Sequence, residues 1–123
     1  MSSAGWHKDS LVGFSFTVTD TTASYDILLN VRHTEMYPYQ NLWLFLGGSR
    51  QLLNDTIEFY LADDRGVWLG TGHNGHITMP VLYEQGYHFS HAGEQTLYVT
   101  HGMRCDYLRG VTDVGIEIRK NEK

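Results

Sequence analysis

Seven histidines are the side chains in this 123-residue chain best placed to do chemistry, and four of them fall into two pairs. The pairs are His73-Asn74-Gly75-His76 and His88-Phe89-Ser90-His91. Two imidazoles three residues apart can share a metal where the backbone curls, and a zinc site needs three or four ligands. His101 or Asp113 would complete such a set. Neither pair matches a metal motif of defined spacing. Both sit beside turn residues, so they read as exposed loop histidines and no metal or other cofactor is expected.

Carboxylates are the second candidate. Asp55, Glu58, Asp63 and Asp64 lie close in sequence, and glycoside hydrolysis needs two carboxyl groups about 5–9.5 Å apart. Asp63-Asp64-Arg65-Gly66, however, is a turn sequence, where aspartate hydrogen-bonds its own backbone, and Asp55 precedes a strand and can do the same. No G-x-S-x-G elbow occurs, and Ser90 beside His91 does not make one. No G-x-G-x-x-G opens a helix after a strand; Gly70-Thr71-Gly72 reads as a turn. No catalytic residue is assigned, and the chain is not read as an enzyme.

The aromatic residues are the stronger lead: five Phe, three Trp and eight Tyr. Such side chains build sandwich cores, sugar-stacking platforms and protein interfaces alike. Trp43 and Trp68 lie within strand-like segments and are expected in the core. Trp6, Tyr37, Tyr39 and Tyr83 flank turns and form the expected exposed interaction surface. Arg32 and Arg104 adjoin an apolar strand and a crossover, and are expected to form structural ion pairs with Asp113 or Asp26 inside the fold.

Composition narrows the partners. Net charge is -5, and the nine Lys and Arg are scattered, so no positive stripe exists to displace counterions from a nucleic-acid backbone. The single cysteine, Cys105, has no second cysteine with which to form an internal disulfide. No segment approaches the roughly 20 apolar residues of a membrane-spanning helix. The 41% hydrophobic and 19% charged residues make a globular balance with one core.

The elements that must position these side chains are strands. Apolar residues recur at every second place in Leu11–Thr19 (Phe14, Phe16, Val18), Tyr25–Val31 (Tyr25, Ile27, Leu29, Val31), Asp55–Leu61 (Ile57, Phe59, Leu61), Gln95–His101 (Leu97, Val99) and Val114–Arg119 (Val114, Ile116, Ile118). Leu42–Leu46 is apolar on both faces, with three leucines against Trp43 and Phe45, so it lies deep in a sheet or carries its aromatic face into a second contact. Gly47-Gly48-Ser49 ends that run. Val67–Leu69 returns after the Asp63–Gly66 turn as a hairpin strand. Ile77–Tyr83 contains Pro80 and so belongs at an edge. Met103–Arg109 reads as a single helical turn or an irregular crossover. About eight strands at roughly 10-residue spacing predict an all-β, antiparallel two-sheet sandwich of jelly-roll type. Residues 1–10 form an N-terminal segment, 11–119 a single domain and 120–123 a frayed charged tail.

Several pieces, taken in order, resemble the GldH family, the gliding-motility-associated lipoproteins of Bacteroidetes. They are Trp6-His7-Lys8-Asp9; Tyr25 to His33; Tyr37-Pro38-Tyr39-Gln40-Asn41-Leu42; Asp55-Thr56-Ile57; Leu61-Ala62 with Gly66 to Gly70; and Met103-Arg104 with Leu108 to Ile116. The resemblance implies a small secreted protein held to the cell envelope, at the periplasm or outer membrane, by a lipidated N-terminal cysteine. It carries over no catalytic residue. Neither leader nor lipid-bearing cysteine precedes Trp6, and Cys105 lies too far along the chain to be that anchor. The expectation is therefore a soluble part of an envelope lipoprotein with Met1 as an added start. Two functions follow. One is a structural or protein-interaction component working with other envelope or gliding-machinery proteins, marked by an exposed apolar patch beyond about a few hundred Å². The other is a carbohydrate-binding module with glycan as partner, marked by exposed rings lining a groove beside Asn, Asp or Arg.

Overall fold

A computed structural model describes residues 5–48 and 54–121. Those residues form ten strands and no helix: β1 (Trp6–His7), β2 (Val12–Val18), β3 (Tyr25–Thr34), β4 (Asn41–Gly48), β5 (Asn54–Tyr60), β6 (Thr71–His73), β7 (His76–Tyr87), β8 (Gly93–His101), β9 (Tyr107–Leu108) and β10 (Val111–Lys120). All pairings are antiparallel. The strands lie in two four-stranded sheets, β10-β3-β7-β6 and β2-β8-β4-β5, and a small β1-β9 ribbon. Ten strands in three sheets thus replace the eight in two that spacing predicts. β1 and β9, two residues each, are too short to carry a period. Among the described residues only β4–β5 and β6–β7 pair strands consecutive in sequence, so most of the pairing joins strands far apart in the chain.

The alternation sets the inner faces. Ile27, Leu29 and Val31 of β3 are buried, and so are Leu42, Leu44 and Leu46 of β4 and Leu97 and Val99 of β8; they meet in one cluster between the two large sheets. Phe89, in the β7–β8 connection, plugs one end of it. Its ring lies edge-on to Phe16 of one sheet and to Tyr25 and Tyr87 of the other.

The strand of Pro80 is not the edge strand expected, because β7 lies between β3 and β6. β6 covers β7 only at His76–Thr78, so at Pro80 the outer side of β7 is open. Val67–Leu69 does not form a full strand. One bridge, Ala62–Trp68, closes a hairpin whose tip is held by Asp63 Oδ1, which accepts Arg65 N–H and Val67 N–H, both at 2.9 Å. Met103–Arg109 holds no helical turn: it crosses as bends into β9. Lys120 and Asn121, expected in the charged tail, are bonded to the fold. Lys120 pairs with Tyr25, and Asn121 N–H donates to Ser24 O at 2.8 Å. Ser49 and residues 122–123 lie outside the described residues.

Candidate binding face

The outer face of the β2-β8-β4-β5 sheet carries the most exposed aromatic surface. The parity that buries Leu42, Leu44 and Leu46 sends Trp43 and Phe45 outward, where they are 38% and 47% exposed. This overturns the core assignment of Trp43; Trp68 is partly buried, packed over His33 at 4.7 Å between ring centres. Tyr39, at 43% exposure, stands at the entry to β4, and Tyr60 and Tyr98 are exposed on the neighbouring strands. Phe45 lies over Gly102: a Cβ there would sit 2.8 Å from its Cζ. Tyr98 likewise lies over Gly13, whose added Cβ would meet Cε1 at 3.3 Å. Glycines across the strands therefore give both rings a flat seat on the sheet.

A crossover builds one wall. Past the end of the β4–β8 pairing, Gly102 N–H donates to Trp43 O at 2.8 Å, and Trp43 N–H reaches Met103 Sδ at 3.4 Å. The result is an open groove of about 460 Å³ lined by Tyr39, Asn41, Trp43, Phe45, Met103 and Arg104, within the size range of small-ligand sites. Asn41 Nδ2–H donates to Glu58 Oε2 at 2.7 Å, and Glu58 is the cross-strand neighbour of Trp43. Lys8, Arg32, Arg119 and Lys120 each have an acidic partner. Arg104 has none among the described residues, so the groove presents an unspent cation beside aromatic surface. Such a set stacks on flat or apolar groups and hydrogen-bonds their polar rims.

His101 anchors the crossover. It is buried, and its Nε2–H donates to Trp6 O at 2.9 Å while Nδ1 accepts Met103 N–H at 3.2 Å. These partners define a neutral imidazole. Burial pushes its pKa below the ordinary histidine value, outweighing the hydrogen bonds that pull it up. Protonation would set an Nδ1–H against the Met103 N–H. The unfolded chain binds this proton more readily than the folded one, so the stability His101 contributes is complete above about pH 6.5 and is lost as pH falls below it. Urea midpoints should therefore fall as pH drops from about 7 to about 5. His101→Gln, which cannot take up this charge, should lower the neutral-pH midpoint and flatten that slope. An unchanged slope would contradict this role.

The other foreseen residues sort as follows. Trp6 and Tyr37 are not surface residues: they are 1% and 3% exposed. Trp6 ties β1 to the core through its ring contact with His101 and through Nε1–H donated to Ser10 O at 2.8 Å. Tyr37 packs between Tyr39 and Trp68, donates its hydroxyl to Asn41 O at 2.6 Å, and has its phenol pKa raised well above the ordinary value by burial. Of the four, Tyr39 is exposed. Tyr83 is half-buried and donates to Asp55 Oδ2 at 3.3 Å, linking β7 to β5; burial, with Asp55 beside it, raises its phenol too.

Arg32 does pair with Asp113, Nη1 to Oδ2 at 3.6 Å, but both side chains are exposed rather than inside the fold. Asp26 has a different role. It accepts Asn121 Nδ2–H and Gly86 N–H, each at 3.0 Å, and these bonds hold its carboxyl below the usual range. His73 and His76 face each other across the β6–β7 hairpin and are exposed, as are His88 and His91. No group of three metal-ligating side chains forms among the described residues. The burial of His33 and of His101, which was weighed as a metal ligand, escaped the sequence reading, although each continues an alternation already seen: Leu29, Val31, His33 and Leu97, Val99, His101.

Fold and groove together define a small all-β domain with one exposed aromatic sheet face. The chain belongs to the GldH lipoprotein family, whose sequence model matches residues 1–118. It is 32% identical to the gliding motility lipoprotein GldH homolog of Christiangramia forsetii over 127 residues, 95% of this chain and 78% of that protein. It is 29% identical to the gliding motility lipoprotein GldH of Flavobacterium johnsoniae, over 97% of this chain and 80% of that one. No solved structure matches it.

Proposed function

We propose that this chain is the folded domain of a non-enzymatic, lipid-anchored component of the cell envelope, and that it works in gliding motility by docking a partner protein of that machinery on the outer face of the β2-β8-β4-β5 sheet. One observation carries the reading. Trp43 and Phe45, on a strand inside the sheet, turn away from the core and stay exposed beside Tyr39, Tyr60 and Tyr98. Large rings outside the core are those most often central to protein interfaces. The polar groups at the groove, Asn41, Glu58 and Arg104, are suited to orienting a partner. The lipid anchor and the envelope location rest on the family and on the names of its curated members. The two large sheets sharing one core support a sandwich reading, with β1-β9 as an added ribbon.

A second reading, glycan binding, is favoured by the rings of Phe45 and Tyr98 seated on Gly102 and Gly13, with Asn41 and Arg104 at the groove. A pull-down from envelope extract, run beside a glycan array, separates the two. A defined protein partner with a silent array is the expected result. Array binding lost in Trp43→Ala, with no protein captured, would reverse the order.

A further inference from the structure

The open edges of the two large sheets are not alike. β5, β6, β10 and β2 each have one unpaired side among the described residues, as does β7 beyond Thr78, where it carries Pro80 and Glu84. Such an edge is a template for another strand, and proteins blunt it with shortness, charge or bulges. β6 is three residues long. β10 carries Asp113, Glu117, Arg119 and Lys120 and a register shift between Val111 and Asp113. β5 carries Asp55 and Glu58. β2 has none of these devices. Its seven residues include no charge and no proline, and its register with β8 runs unbroken from Val12–Val99 to Val18–Gly93. Phe14 and Phe16 face the core yet are only half-buried, as expected of a strand with nothing beyond it.

The strand is also nearly a palindrome. Val12-Gly13-Phe14-Ser15-Phe16-Thr17-Val18 reads almost alike in both directions about Ser15. Two copies set antiparallel with Ser15 opposite Ser15 would place each Phe14 opposite a Phe16, each Val12 opposite a Val18 and each Gly13 opposite a Thr17. Alternation is kept in that register, so core-facing residues meet core-facing ones. The molecule as a whole carries -5 and repels its copy, whereas this seam brings no like charges together. The symmetry is that of an isologous two-fold interface.

We infer that β2 is the seam through which two copies of this chain pair across a two-fold axis at Ser15, fusing their sheets into one of eight strands, β5-β4-β8-β2 continued by β2-β8-β4-β5. The axis stands perpendicular to the sheet, so both aromatic grooves open on the same side and can engage a repeated partner together. The seam itself does not depend on what the grooves bind.

Light scattering and sedimentation across a concentration series test this. The expected result is a reversible dimer whose dissociation constant rises about tenfold or more in Ser15→Lys, which sets two like charges opposite each other. In a Cys105→Ser background, Ser15→Cys should link into a covalent dimer under mild oxidation and Thr17→Cys should not. Should Ser15→Lys fail to fold, amide exchange in the wild type decides instead: protection of residues 12–18 that rises with concentration supports the seam, and concentration-independent exchange overturns it. A wild type that stays monomeric to about 1 mM overturns it, as does a dimer that Ser15→Lys leaves intact and Ser15→Cys does not link.

Discussion

Phe89→Ala should lower the unfolding free energy by about 3–5 kcal/mol, enough to remove much of the 5–15 kcal/mol a domain of this size possesses. Phe89 is fully buried and its ring meets Phe16, Tyr25 and Tyr87 at 5.7, 5.4 and 4.9 Å. Those three residues come from both large sheets, so truncation leaves a cavity at a junction that neither sheet can close alone. Phe89→Leu keeps part of the volume and should cost about half as much. Urea denaturation reads both values. A loss under about 1 kcal/mol for the alanine variant would mean that the ring does not join the sheets.

Gly110→Ala should cost about 2–4 kcal/mol, from two sources that act together. Its φ of +92° is one that side-chain-bearing residues rarely adopt, and an added Cβ would lie 2.6 Å from Tyr37 Cα and 2.7 Å from Tyr37 N. Both obstacles are backbone and cannot swing aside. Gly110 O also accepts Thr34 N–H at 2.8 Å, so any shift loosens the segment that delivers Tyr37 to the core and Tyr39 to the groove. Two other glycines separate the causes. Gly66 has φ +81° with open space around it, so Gly66→Ala should cost only about 1 kcal/mol. Gly47 has neither constraint, and Gly47→Ala should change stability by less than about 0.5 kcal/mol. Equal effects at all three positions would contradict this account.

Much of the fold is legible in the sequence because each long strand keeps one face on the core. Ile27, Leu29 and Val31, and Leu97 and Val99, are buried where period two puts them. The same rule extends to His33 and His101, but a polar residue at the end of an apolar series reads as the end of the strand. For β4 the rule fails differently. Both faces are apolar, and alternation separates the leucines from the aromatics without saying which side meets the other sheet. Trp6 and Tyr37 lie in short flanking segments without periodicity, and Phe89 lies in a connection. Their burial is decided by which gaps remain once the sheets have closed. Arg32 and Asp113 become partners because β10 pairs β3 in the register that sets them opposite, and a register of that kind cannot be read from either strand alone. The groove has the same origin: Gly102–Arg104 reaches Trp43 across nearly sixty residues.

The most direct test of the aromatic face is partner capture by a Trp43→Thr, Phe45→Thr double variant. Threonine keeps the strand preference of β4 while removing both rings from its exposed side. The prediction is a melting temperature within about 2 °C of the wild type, with recovery of the envelope partner reduced about tenfold or more. Undiminished capture by a folded double variant would contradict the assignment of this face as the working surface of the protein.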